Sequence, residues 1–191
     1  IKNAPIDFYI TEDSEKVGAL QAEAAVKAAG GKGNVVLLMG QAGHSVAEAR
    51  TRGVLNVLAK HPGMKILVKQ YHHGWSPNLA MATMENALTK HKNDIQVVIA
   101  NNSGMAHGAI QAIVEQKLSG KVFVAGADAD LTAIRDIVSG KQQFEVLISI
   151  QDMARSAAEA AWASATSTKP VSNTSVNNGW GTVPTTNTPV F

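Results

Sequence analysis

With 191 residues, 45% of them hydrophobic, the chain is long enough for one well-buried core, or for one core and part of a second. Its 17 Lys and Arg against 15 Asp and Glu give a formal charge of +2, spread without a basic run or interleaved aromatics, which argues against nucleic acid as the main partner. The absence of cysteine excludes disulfides and thiolate metal sites, and no apolar stretch approaches the roughly 20 residues of a membrane-spanning helix.

The opening residues Ile1-Lys2-Asn3-Ala4-Pro5 lack the charged segment and apolar core of an export signal, so the chain is read either as not exported or as lacking its beginning. Runs rich in Val and Ile then alternate with longer stretches of helical period, the pattern of an α/β fold with a doubly wound parallel sheet. Strands are expected near Phe8–Ile10, Val35–Met39, Ile66–Gln70, Gln96–Ala100, Lys121–Ala125, Val146–Ile148 and Ser175–Asn177. The first helix should start after Asp13, whose short carboxylate suits an N-cap, and end at Gly30-Gly31, where left-handed backbone is tolerated. Another should start at Ser76-Pro77, with Pro at the first helical position, and end near His91. From Thr166 the chain turns rich in Thr, Ser, Asn and Pro and reads as a strand with extended surface segments.

In an open parallel sheet, ligands bind beyond the carboxyl ends of the strands. There the sequence places Gly40-Gln41-Ala42-Gly43-His44-Ser45 leading to Arg50, then Tyr71-His72-His73-Gly74-Trp75, Asn101-Asn102-Ser103 and Gly126-Ala127-Asp128. Arg50, Trp75, Asn102 and Asp128 suit a neutral polyhydroxylated ligand: Asp and Asn pair with adjacent hydroxyls, Arg donates a planar fork, and the indole covers the C–H face of a sugar ring. The plainer reading gives the same residues ordinary duties, as loop and cap residues, a solvated helix Arg and a Trp lid over the core. The two readings weigh about equally on pattern alone.

Other chemistry is weaker. The Gly40–Gly43 loop has neither the dinucleotide glycine spacing nor a following Gly-Lys-Ser/Thr, so phosphate binding is a minor alternative. His44 and Glu48 share a helical face and His72-His73 are adjacent, but neither pair offers three convergent metal ligands. No Gly-x-Ser-x-Gly elbow or carboxylate pair for glycosyl hydrolysis is evident, so no enzyme activity, cofactor or metal is expected.

Ile6-Asp7-Phe8-Tyr9-Ile10, Glu15-Lys16-Val17-Gly18, Gly74-Trp75-Ser76-Pro77, Met84-Glu85-Asn86-Ala87-Leu88-Thr89 and Asp128-Ala129-Asp130-Leu131 resemble the pentose-binding members of the periplasmic sugar-binding protein family, of the xylose-binding type. The Gly40–Arg50 stretch is closer to the ribose-binding type. This resemblance implies a non-enzymatic receptor that captures a pentose-like sugar and hands it to an ABC transporter permease, in the periplasm or, in a Gram-positive source, outside the cell on a membrane anchor. It implies Arg50 as the sugar-binding arginine, Trp75 as the stacking residue, and Asn102 and Asp128 as hydroxyl-binding residues. Asp13, at the first crossing between lobes, either lines the cleft or caps the helix that follows, and the cap is preferred. The position after the last strand, where many members carry Lys or Gln, is Ile148 here, with Ser149 beside it.

The family fold has two lobes and three crossings. The resemblance implies that residues 1–10 hold the last strand of a truncated N-terminal lobe, 11–148 the C-terminal sugar-binding lobe, and 149–191 a return helix and strand of the first lobe. Apolar positions such as Ala154, Ala158, Ala161 and Trp162 would then lack their covering, and the truncated form would be open to self-association. Readings from other classes are the effector-binding core of a sugar-responsive transcription regulator and a sensory receptor lobe.

Overall fold

A computed structural model describes residues 3–191; Ile1 and Lys2, and with them the start of the 1–10 segment, lie outside the described residues. In chain order the elements begin with β1 (Tyr9–Glu12), α1 (Ser14–Ala28), β2 (Gly33–Met39), α2 (Ser45–Leu58), β3 (Met64–Tyr71), a 3-10 turn at His73–Trp75, and α3 (Pro77–Lys90). They continue with β4 (Val97–Ala100), α4 (Ser103–Glu115), β5 (Phe123–Asp128), α5 (Leu131–Val138), β6 (Phe144–Leu147), α6 (Ile150–Ala165), β7 (Thr174–Asn177) and β8 (Thr182–Thr188). Two compact units result: Ser14–Leu147, and the chain up to Asp13 together with Ile148–Phe191.

The larger unit is a five-stranded parallel sheet in the order β3-β2-β4-β5-β6. Successive side chains of a strand point to opposite faces, so a strand covered on both sides must be apolar throughout. β2 shows this: Val35, Leu37 and Met39 join Ala22, Ala25, Val54 and Leu58 of α1 and α2, while Val36 and Leu38 join Met84, Leu88, Met105 and Ile110 of α3 and α4. The α1–α2 pair packs backbone to backbone: a Cβ on Gly18 would lie 1.8 Å from the Arg50 carbonyl oxygen, and one on Gly53 would lie 2.0 Å from that of Glu15. These glycines therefore fix the height at which Arg50 leaves α2.

The expected punctuation is present. Gly30 and Gly31 follow α1 with φ of +61° and +78°, and Ser76 caps α3 by accepting from Leu79 N–H at 3.4 Å, with Pro77 at the first position. His91 is the C-cap of α3.

In the smaller unit, β1 pairs parallel with β8, β8 pairs antiparallel with β7, and α6 packs on β1 and β8. The strand expected at Val146–Ile148 ends at Leu147, because Ile148 instead bridges to Val190. The strand expected at Phe8–Ile10 runs Tyr9–Glu12, starting one residue later and ending two residues later. β8 was not anticipated: Thr-Val-Pro-Thr-Thr-Asn-Thr has little apolar character, and Pro184 argues against a strand whose neighbours use both edges.

Candidate functional site

The chain passes from β2 to β3 on one side and then crosses to β4 on the other, so the sheet's switch point lies between the carboxyl ends of β2 and β4. This crevice is where an open α/β sheet receives ligands. Met39-Gly40 closes β2 there, and Asn101 follows β4.

Asn101 is the hub of the crevice. Its side chain is fully buried, and Oδ1 accepts from Gly40 N–H at 3.0 Å and from the Thr51 hydroxyl at 3.2 Å. Its carbonyl oxygen accepts from Arg50 Nη1 at 2.6 Å. Arg50 is only 4% exposed, and the same Nη1 donates to Asp128 Oδ1 at 2.9 Å. Burying a guanidinium is costly unless it is paired and hydrogen-bonded, and this arrangement supplies both. The Asp128 side chain is 43% exposed, so one edge of the pair is anchored and the other open to solvent.

Trp75 meets the site through Gly40. A Cβ on Gly40 would lie 2.5 Å from the six-membered ring of Trp75, so only glycine lets the indole lie against the end of β2. His44 stacks edge-on against it, with ring centroids 5.4 Å apart. The turn that delivers Trp75 has Gly74 and Trp75 both at positive φ, 62° and 56°, and Gln41 Oε1 accepts from Gly74 N–H at 3.0 Å.

Asn102 is the N-cap of α4, its Oδ1 accepting from Met105 N–H at 2.9 Å. A ligand would thus be met by its Nδ2 donor. Asp13 ends the smaller unit directly before α1, the position from which a carboxylate caps a helix. Ser149 caps α6 through Asp152 N–H at 3.2 Å, and Ile148 is buried.

The remaining polar candidates have structural duties. His72 is buried, with Nδ1 3.0 Å from the Met39 carbonyl oxygen and Nε2 3.0 Å from Thr83 Oγ1. A carbonyl only accepts, which puts the proton on Nδ1, and burial holds the ring below its ordinary pKa. Glu48 accepts from the Tyr71 hydroxyl at 2.8 Å, and that bond, with burial and the charge of Glu48, raises the Tyr71 pKa. Glu48 also accepts from Gly43 N–H at 3.2 Å, so a carboxylate already stands where an anion on the Gly40–Gly43 loop would sit. Among the described residues no group of three His, Asp or Glu side chains could hold a metal, and no helix is long and apolar enough to cross a membrane.

Sequence reasoning did not single out Asn101, Gly40 or Glu145. Asn101 was visible in the rim stretch, but two adjacent asparagines carry no mark of which turns inward. Glu145 lies on β6 and sits behind Asp128, with its carboxyl in contact with Ser103 and Gln142.

A parallel sheet wound on both faces, with buried Arg50, open Asp128 and the Trp75 indole at its switch-point crevice, defines a doubly wound α/β protein. Residues 1–169 match the family described as periplasmic binding protein domain, and the chain belongs to that family. Over 187 residues it is 41% identical to the D-xylose-binding periplasmic protein of Escherichia coli, covering 96% of this chain and 56% of that protein. The chain thus spans a little over half the length of this curated relative. Among solved structures it is similar to an ABC transporter periplasmic solute binding protein from Actinobacillus succinogenes with bound D-allose, at TM-score 0.83 and 28% identity, covering 94% of this chain and 59% of the other. A carbohydrate transporter solute binding protein from Agrobacterium radiobacter in complex with D-arabinose gives TM-score 0.82 and 27% identity, covering 97% and 60%.

Proposed function

We propose that this chain forms the C-terminal sugar-binding lobe, with the return segment of the other lobe, of a periplasmic receptor that captures a neutral pentose of the xylose type for an ABC transporter permease. The observation that carries the reading is the Arg50–Asp128 pair, buried on the Arg50 side and open on the Asp128 side, reached through Asn101 and Gly40 from the Trp75 ring. Sugar hydroxyls complete such a pair: Asp128 accepts, Arg50 donates, Asn102 Nδ2 donates, and the indole covers the C–H face. The chain up to Asp13 and residues 148–191 are assigned to the other lobe and residues 14–147 to this one, a shift from the expected bounds at 10 and 148 because Thr11 and Glu12 pair with Asn187 and Thr188 and Ile148 bridges to Val190; Asp13 is a helix cap at the crossing. Binding uses no catalysis, cofactor or metal, and its output is closure of the two lobes. The sugar-transport names of the relatives favour this over a regulator or sensor core.

Calorimetry of the complete protein containing this chain, with xylose, ribose, arabinose and polyols, is the direct test. Asp128→Ala leaves hydroxyls and Arg50 poorly paired and should cost about 2–4 kcal/mol, a loss of roughly thirty-fold or more. Trp75→Ala should also weaken binding by removing the platform. Absence of heat with every sugar, or an Asp128→Ala protein with unchanged affinity, would overturn the assignment. The 191-residue chain alone should bind far more weakly, since half a cleft encloses too little of a small ligand.

A further inference from the structure

Asp128 is held in an unusual backbone. Its φ is +105° and that of Ala129 is +56°, two consecutive non-glycine residues in a region that L side chains rarely adopt. Such a turn persists only where its surroundings impose it, and the group behind it is the carboxyl of Glu145. Glu145 Oε1 accepts from Ala129 N–H at 3.2 Å and contacts the Ser103 hydroxyl, while Oε2 contacts Gln142 Nε2. Ser103 Oγ in turn lies 2.9 Å from the Ala127 carbonyl oxygen and 3.4 Å from Asp130 N–H. One carboxyl therefore ties the Ala127–Asp130 turn to β6 and to the start of α4. Gly126 is the Cα partner of Glu145 across β5 and β6, and a Cβ there would lie 2.2 Å from Oε2. The pocket for this carboxyl is built by that glycine.

We propose that Glu145 is a positioning residue: its carboxylate holds the Asp128–Ala129 turn in the conformation that presents Asp128 to Arg50 and to the sugar, so that sugar affinity falls when Glu145 is protonated. This rests on the sugar-binding reading of Arg50 and Asp128 and adds to it the group that holds the turn. Ala129 N–H and the Gln142 amide are fixed donors, which an ionised carboxylate accepts with bonds about twice as strong as a neutral carbonyl makes, while the single Ser103 proton is shared between Glu145 and the Ala127 carbonyl. A proton on Oε2 is set against the Gln142 amide donor, and a proton on Oε1 goes to Ser103 Oγ and weakens the bond that Oε1 accepts from Ala129 N–H. The negative charge also pushes the Asp128 carboxylate away from β6. Burial, more than the charge of Asp128, raises the Glu145 pKa to about 7, against the lowering by its hydrogen bonds, so both states are populated near neutrality.

The charged groups around it are accounted for on each element. Asp128 of β5 is the charge acting on Glu145, and Arg50 of α2 pairs with Asp128. Asp130 is engaged as the cap of α5, accepting from Ala133 N–H at 2.9 Å. His107 of α4 and Asp136 of α5 pair with each other at 2.6 Å. Lys141 neighbours Gln142 in the chain, in the turn before β6.

The test separates this inference from the sugar reading because its first arm uses no sugar. In the 191-residue chain, the Ala129 amide proton and the Glu145 side-chain carboxyl carbon, followed by NMR from pH 5.5 to 8.5, should titrate with one midpoint near 7, and Glu145→Gln should abolish the Ala129 step. The carboxyl-carbon titration of the unsubstituted chain decides the point if the variant does not fold. An Ala129 signal that does not follow Glu145, or that titrates unchanged in Glu145→Gln, would overturn the positioning role. In the second arm, xylose affinity of the complete protein should fall about five-fold from pH 8 to pH 6, with proton release on binding near pH 7, and both effects should vanish in Glu145→Gln. Xylose binding with the same pH profile in both proteins would overturn the link to affinity. Binding of no sugar at any pH overturns the sugar reading and the link to affinity with it, and leaves the positioning of the turn to the NMR arm.

Discussion

At the scale of single residues, the site is costly to hold and Glu145 shows where the cost falls. Its folded pKa of about 7 lies above the ordinary carboxylate value of 4.5, so between those pH values the folded chain binds more protons than the unfolded chain. Stability from this group is then fully present below about pH 4.5 and lost as pH rises through 7, an effect of at most about 3 kcal/mol and less in practice because the side chain keeps some solvent contact. Urea midpoints measured from pH 5 to 8 should fall more steeply for the unsubstituted chain than for Glu145→Gln; parallel slopes would show that Glu145 is not the group responsible. The pH that serves the Asp128 turn best is thus the pH at which this carboxylate weakens the fold. Trp75 and Asp128 stood out in the sequence because they come at or just after strand ends, where polar and aromatic residues interrupt apolar runs, and Arg50, inside α2, because it follows the Gly40–Ser45 rim stretch. Asn101 and Glu145 did not. Their importance comes from facing inward beneath the rim, and a buried polar side chain within an apolar run carries no mark of which partner satisfies it.

At the scale of elements, capping and binding compete for the same side chain at the start of α4. Asn102 Oδ1 is committed to Met105 N–H, so only Nδ2 is left to meet a sugar. Asn102→Ala removes both and should destabilise the chain by about 1 kcal/mol, while Asn102→Ser keeps a capping oxygen and loses the donor. Thermal melts and calorimetry on the two variants separate the roles: Ser should restore the melting temperature but not the affinity. A Ser variant that binds sugar as tightly as Asn would remove Asn102 from the ligand set. Helix boundaries were legible for a related reason. Ser76-Pro77 and Gly30-Gly31 act through local backbone geometry that needs no tertiary partner. β8 was hidden because its pairing with β1 is made between distant segments, with residues 9–12 opposite 185–188, and its Thr-rich sequence does not alternate like a half-buried strand.

At the scale of the whole molecule, the alternation of apolar strands and helices was enough to give a parallel sheet wound on both faces. It was not enough to give the order β3-β2-β4-β5-β6, because buried parallel strands all read as similar Val- and Ile-rich runs. The smaller unit shows a different balance. None of the 16 residues of α6 is buried, although the helix packs on β1 and β8. Ala154, Ala158 and Ala161 are exposed, with Ile150 at 68% and Trp162 at 73%. Trp180 and Phe191 add further apolar surface in the same unit, at 69% and 66%. An amphipathic helix gains most of its stability from a covered apolar face, and exposed apolar surface of this kind favours association. The 191-residue chain is therefore expected to self-associate through α6. Sedimentation velocity should show mass rising with concentration, and Trp162→Lys should reduce that rise while leaving the larger unit folded. On the receptor reading, the complete protein covers this helix with its other lobe and should sediment as a monomer under the same conditions. A 191-residue chain that stays monomeric across the concentration range, or a Trp162→Lys variant that associates as strongly, would show that α6 is not the adhesive surface.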